Sequence, residues 1–251
     1  MNKIHFGKKW YIARLKLLER KLDTLPDLRM GVQRGQLVVR YIVNGKKHQS
    51  SSKSSNWNKL YSKAKIRKEL QAEYNQLLNE FELYFGESYE SIKSQYKVVR
   101  CSALLTSDNW ESFIDNECPA TKTGEFIADE HNLRSRIEMS TVEAILQLGL
   151  PYKYDSSVYE NYHKRYVDFA INLEEFDVSA FVEVMGSMDD ASEVRRNASK
   201  FEEYSLYGFI LGRDWTIVCG TKHMVPDISS IKRTIITLVD NIAELCVLKS
   251  S

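Results

Sequence analysis

The sequence predicts an α/β (α+β) protein, with a small mixed β-sheet flanked by helices and a basic helix–hairpin–helix-rich N-terminal module before it. Three observations carry this expectation. From Arg134 onward the apolar pattern runs helix, strands, helix, strands, helix, which reads as a three-layer domain. Apolar residues make up 43% of the 251 and charged residues 27%, enough for a real core with an ordinary charged surface. Charge is also divided unevenly along the chain. Residues 1–68 hold 18 Lys and Arg against three acids, a net of +15, so the other 183 residues carry −14 within an overall +1. Such a split suggests a basic module for a polyanion and a separate acidic part.

Residues 8–25 place Ile12, Leu15, Leu18, Leu22 and Leu25 at three- and four-residue spacing, an amphipathic helix that Pro26 stops. "GQLVVRYIVNGKKHQS" reads as a tight hairpin turning at Asn44-Gly45. A long helix runs from Trp57 to Phe85, broken at Gly86. These elements make a module over residues 1–85, followed by a connecting segment of short helices and loops over 86–123. The core domain occupies 124–251. In it "SRIEMSTVEAILQLGL" is a helix, ended by Gly149-Leu150-Pro151. "YKYD", "RYVDFAIN" and "SAFVEVMG" are strands, and residues 189–207 form a charged amphipathic helix. "YGFILGRDWTIVCG" offers two short strands around Arg213-Asp214, and a last helix runs from Pro226 to Leu248.

No apolar run reaches the length of a membrane span, and the N-terminus lacks the apolar segment of a secretory signal. Cys101, Cys118, Cys219 and Cys246 are scattered, with no CxxC pair, which argues against zinc and fits reduced thiols in a cytoplasm. His131, His163 and His223 have no ligand spacing, and there is no Ser-His-Asp set or glycine-rich phosphate loop. The basic module mixes Arg34, Arg40, Lys46, Lys47, Lys53, Lys59, Lys63 and Arg67 with Tyr41, Trp57 and Tyr61. These cations suit DNA phosphates, with RNA left open, and Lys59, Lys63 and Arg67 share one helix face. A membrane surface fits less well, because no bulky apolar face accompanies the basic one.

Three acids stand out: Glu138 at a helix start, Asp168 in "YVDFAI" and Glu183 in "FVEVMG". The 15-residue separation of Asp168 and Glu183 allows a strand, a turn and a return strand, with both carboxylates on one face. Like charges that close need a counter-charge. An arginine supplies one answer; a divalent cation held by oxygens, Mg²⁺ or Mn²⁺, supplies another.

Arg134-Ser135-Arg136-Ile137-Glu138, Gly149-Leu150-Pro151-Tyr152, Asp168-Phe169 and Glu183 with Gly186 follow one another in an order and spacing that resemble the PD-(D/E)XK nuclease superfamily. They look most like the bacterial branch with R-S-K-S-E, P-D-F and W-E-H-L-G-type motifs, over about residues 134–222. The resemblance implies a restriction-endonuclease-like core and a Mg²⁺-dependent (or Mn²⁺-dependent) endodeoxyribonuclease. Glu138, Asp168 and Glu183 would then hold the metal, and a homodimer would suit cutting of both strands. Two positions depart from the pattern: Val167 replaces a proline, and Met185 stands where a lysine is usual. The resemblance places that lysine on the next helix, at Lys200 of "KFEEY", with Arg196 the competing candidate. The alternative is an inactive nuclease-fold subunit that binds DNA within a larger complex.

Overall fold

The computed structural model describes residues 4–101, 105–118, 125–160 and 163–250, without the side chains of 108–109, 158–160 and 163–165. The end of the predicted connecting segment, residues 119–123, and the predicted start of the core at 124 lie outside the described residues, as does the His163 side chain. The chain divides into two compact units, residues 11–96 and residues 1–10 with 97–249.

In the unit of residues 11–96, helix α1 (Lys8–Thr24) buries Ile12, Leu15, Leu18 and Leu22, as their spacing predicts. Three antiparallel strands follow: β1 (Leu28–Gln33), β2 (Gln36–Val43) and β3 (Lys46–Ser51). The sequence predicts only the β2–β3 hairpin. β1 adds a second, turning through Arg34 and Gly35 at φ 50° and 75°, a left-handed pair like Asn44-Gly45 but opened by an arginine, a weak turn signal. Strand alternation puts Leu28, Met30, Val39 and Tyr41 on one face. Helix α2 (Trp57–Phe85) packs Trp57, Leu60, Tyr61 and Ala64 there. Gly86, at φ 68°, ends α2 as expected. α1 and α2 run antiparallel: Tyr11 donates to Glu80, Arg14 to Glu73, and Arg67 to the Leu22 and Leu25 carbonyls. A short helix, α3 (Tyr89–Ile92), follows.

The other unit is built on a four-stranded sheet of order β10-β9-β8-β7. Strands β7 (Tyr152–Glu160), β8 (His163–Leu173) and β9 (Val178–Met185) are antiparallel, and β10 (Trp215–Cys219) lies parallel to β9. Two smaller pairs join β4 (Tyr96–Val98) to β11 (Val247–Lys249) and β5 (Phe126–Ala128) to β6 (His131–Leu133). Helix α4 (Arg136–Leu148) packs on α6 (Ile228–Cys246). Helix α5 (Ala191–Leu206) lays Phe201 and Tyr204 on the sheet face that carries Ala170, Phe181 and Met185. The chain is thus a mixed α/β protein with small sheets.

Two expectations need correction. "YGFILGRDWTIVCG" holds one strand, not two. The Asp214 carboxylate draws in the Ile210 amide and the Arg213 guanidinium, which leaves Leu211 a single bridge to Trp215. The last helix stops at Cys246, because Val247–Lys249 pairs with β4 instead. Among the described residues no helix is long and apolar enough to cross a membrane, and none of the four cysteines forms a disulfide.

Arg67 closes the carbonyl end of α1, so Arg67→Met should cost about 1.5–3 kcal/mol, the worth of hydrogen bonds to a charged group. Urea unfolding with the midpoint followed by far-UV circular dichroism measures it; an unchanged midpoint would show that those two bonds carry no stability.

Candidate active site

Strand register sets three acids side by side. β8 and β9 pair from Leu173–Val178 up to Phe169–Val182. One step further Asp168 stands across from Glu183, and there the backbone ladder stops. Asp168 Oδ2 accepts the Val184 amide proton instead, at 2.7 Å. β7 and β8 pair on both sides of the same point, Tyr154–Phe169 and Ser156–Val167, so Asp155 faces Asp168 from the other flank. Asp155, Asp168 and Glu183 therefore form one row over three strands.

Glu183 has no exposed surface. Its Oε2 accepts from Lys200 Nζ at 2.6 Å and its Oε1 from the Tyr204 hydroxyl at 2.5 Å. Lys200 and Tyr204 are four residues apart on α5, so a single helix face satisfies both oxygens. Met185 is buried with Phe181, Tyr204 and Trp215. An ammonium at that position would be stranded among apolar groups, which is why the cation reaches Glu183 from α5. Arg196, the competing candidate, is largely exposed and pairs with Glu193 on its own helix at 2.5 Å.

Glu138 does two things. It completes a capping box with Ser135: the Ser135 hydroxyl accepts from the Glu138 amide at 3.1 Å, and Glu138 Oε2 accepts from the Ser135 amide at 3.1 Å. The Arg134 amide (2.6 Å) and the Tyr154 hydroxyl (3.1 Å) donate to the same oxygen. Glu138 Oε1 is left facing Arg134 Nε at 3.4 Å. Arg134 then ties the row together. Its Nη2 donates to Asp168 Oδ1 at 2.9 Å and to Asp155 Oδ1 at 3.2 Å. Asp155 Oδ2 is buried and, among the described residues, has no hydrogen-bond partner.

The structure thus brings Glu138, Asp168, Glu183 and Lys200 together, as two bonded sets side by side on the sheet, and adds two groups that sequence reasoning missed, Arg134 and Asp155. Arg134 lies in the quoted motif and was legible there as a counter-charge. Asp155 carried no signal beyond closing "YKYD".

Fully ionised, the four carboxylates against Arg134 and Lys200, counted among the described side chains, leave a net −2. Burial sets the titration first, and the neighbouring carboxylates add to it. Burial, then Asp168, pushes the Glu183 carboxyl up to about 7. Burial likewise raises Asp155 to about 7 against the pull of Arg134, and raises Glu138. Burial works against the charge on Lys200, but Glu183 and Asp168 outweigh it and raise its pKa. A divalent cation would carry the charge this cluster lacks. The oxygen-only donors and the orphaned Asp155 oxygen fit a hard ion such as Mg²⁺ or Mn²⁺. Among the described residues, however, no three His, Cys, Asp or Glu side chains already form a metal-holding group; Arg134 and Lys200 lie on these carboxylates.

Most basic residues named from the sequence are exposed. Arg40 and Lys47 lie on the sheet face turned away from α2, where Arg29, Arg40 and Gln49 make one cross-strand row. A Cβ at Gly31 would stand 3.4 Å from the Arg40 guanidinium carbon, so Arg40 lies across β1. Arg34 and Lys46 sit at the two hairpin turns, Lys53 in the following loop, and Lys59 and Lys63 on α2. Arg67, on the same α2 register, is half-buried against the end of α1. No protein-family model, curated protein or solved structure matches the chain.

The raised carboxyls set a pH dependence. Glu183 binds its proton more tightly folded (about 7) than at its ordinary 4.5, so its contribution to stability is full below 4.5 and is lost as pH rises to about 7. Asp155 acts in the same sense. Without divalent ions the melting temperature should fall across that window, and Glu183→Gln should flatten the slope. A melting temperature that instead rises with pH there would contradict the charge assignment.

Proposed function

We propose that the protein is a metal-dependent endodeoxyribonuclease with a restriction-endonuclease-like core of PD-(D/E)XK type. The observation that carries this reading is Lys200 seated on Glu183 at 2.6 Å, with Asp168 directly across the strand pair. Glu138, Asp168 and Glu183 would hold Mg²⁺ or Mn²⁺. When bound, that ion supplies an activated water and neutralises the phosphodiester.

The chain's own groups do the rest. Tyr204 and Lys200 each donate to one oxygen of Glu183 and so hold the carboxylate in a single orientation. The Lys200 side chain keeps about a third of its surface exposed, which lets the ammonium offer a second N–H to a phosphate oxygen. Arg34, Arg40, Lys46, Lys47, Lys53, Lys59 and Lys63 contact DNA phosphates. The open sheet face, bearing Arg29, Arg40 and Gln49, carries the donors that read base edges in a major groove. Reduced thiols suit a cytoplasmic site of action, and two copies would serve the two strands of a duplex.

A second reading, a non-cleaving DNA-binding subunit, is favoured by one observation: Arg134 already lies across Asp155 and Asp168 as a fixed counter-charge. Cleavage decides between them. The purified protein should nick or cut DNA with Mg²⁺ or Mn²⁺. Asp168→Asn and Glu183→Gln should each abolish cutting, and Lys200→Met should slow it by about 100-fold or more. Cutting that survives both carboxylate changes rejects the nuclease site; salt-sensitive binding without turnover under any divalent ion selects the second reading.

Binding has its own check. Lys59→Ala and Lys63→Ala should each lower the slope of log affinity against log salt by about 1. Arg67→Met, whose guanidinium is spent on α1, should leave that slope as it is.

A further inference from the structure

We infer that Asp155 is a fourth carboxylate of the cation site, and that Arg134 is a resident counter-charge which a divalent cation displaces from Asp155 and Asp168. This rests on the proposed function in one respect, that the acidic row binds a divalent ion; it goes further in naming a ligand and a competitor that the motif pattern does not include.

Asp155 is 1% exposed, and its backbone sits at φ 46°, a left-handed conformation inside a strand. Its surroundings hold it there. Asn116 and Cys118 donate their amides to the Tyr154 and Asp155 carbonyls, and Asp115 accepts the Tyr154 amide. The result is a carboxylate turned into the row beside Asp168, sharing one guanidinium nitrogen with it. A residue placed only to pair with arginine gains most from a two-pronged contact using both oxygens. Asp155 uses one. Its other oxygen is buried with no donor, a lone pair that a cation would complete.

Arg134 is suited to leave. It precedes the helix, outside α4, and its side chain is about a third exposed. It touches Glu138, Asp155 and Asp168 and no other acid of the cluster. Lys200 is different: its partner Glu183 is fully buried and also held by Tyr204. Of the two cations, the arginine is shared among three carboxylates and the lysine is committed to one.

The test is calorimetric titration of the full-length, metal-free protein with Mn²⁺ in the absence of DNA, with thermal melting alongside. Asp155→Asn suits the position because asparagine tolerates the left-handed conformation. It should keep the fold and weaken Mn²⁺ binding at least tenfold. Arg134→Met should tighten Mn²⁺ binding severalfold and lower the metal-free melting temperature, with Mn²⁺ restoring it. Asp155→Asn with wild-type affinity removes Asp155 from the site. Weaker Mn²⁺ binding by Arg134→Met overturns the competition, and this arm stands even if Asp155→Asn fails to fold. Asp168→Asn separates the two levels: if it alone loses Mn²⁺, the proposed site stands and the inference falls. If wild type itself binds no Mn²⁺, both fall.

Discussion

The acidic row of the sheet unit holds more buried negative charge than its described side chains neutralise. Four carboxylates from one helix and three strands meet two cations, and one of the acids, Glu183, is wholly out of water. An ionised carboxylate without partners in such surroundings is among the costliest things a fold can contain. The local architecture reads as a set of answers to that cost. Asp168 gives up a ladder position to take a backbone amide, Glu138 folds its charge into a helix cap, and Tyr204 donates a hydroxyl to Glu183.

The same constraint explains where the lysine sits. Strand β9 points Met185 into the apolar layer under α5, alongside Phe181 and Trp215. A cation there would itself need rescue. From α5, by contrast, a lysine can lay its apolar stem along the sheet while its ammonium reaches Glu183 from the solvent side. Moving the charge from strand to helix keeps the apolar layer intact and still places an ammonium on the acid. Phe201 and Tyr204, flanking Lys200 on that helix, supply the packing that fixes its height over the sheet.

Much of this was legible because it rests on periodicity. The α1 leucines, the span of α2 to Gly86 and the strands bearing Asp168 and Glu183 follow from three-, four- and two-residue spacing, whereas Lys200 stood out chiefly through its match to the K-F-x-x-Y element of the nuclease resemblance. Asp155 was not legible, because its place depends on the register of β7 against β8 and on a left-handed backbone that an aspartate tolerates without advertising it. Arg67 shows what spacing leaves out: its register with Lys59 and Lys63 is real, and the antiparallel packing of α1 and α2 also brings carbonyls to its guanidinium. The capping box at Ser135 and Glu138 was readable as a Ser-x-x-Glu pattern. It gives Glu138 a structural role in addition to any ligand role, so loss of that side chain perturbs the helix as well as the site.

Two kinds of cation enter the account: Arg134 and Lys200 of the chain, which make the acidic row tolerable, and the proposed divalent one, which the row's residual −2 would invite. Anomalous diffraction from crystals of the protein grown with Mn²⁺ addresses this most directly. The account predicts a manganese peak among the carboxylates of Glu138, Asp155, Asp168 and Glu183, with the Arg134 guanidinium moved off Asp155 and Asp168 and Lys200 still on Glu183. Arg134 seated on both aspartates with no manganese beside them, at ion concentrations that support DNA cleavage by other Mn²⁺ enzymes, would contradict it.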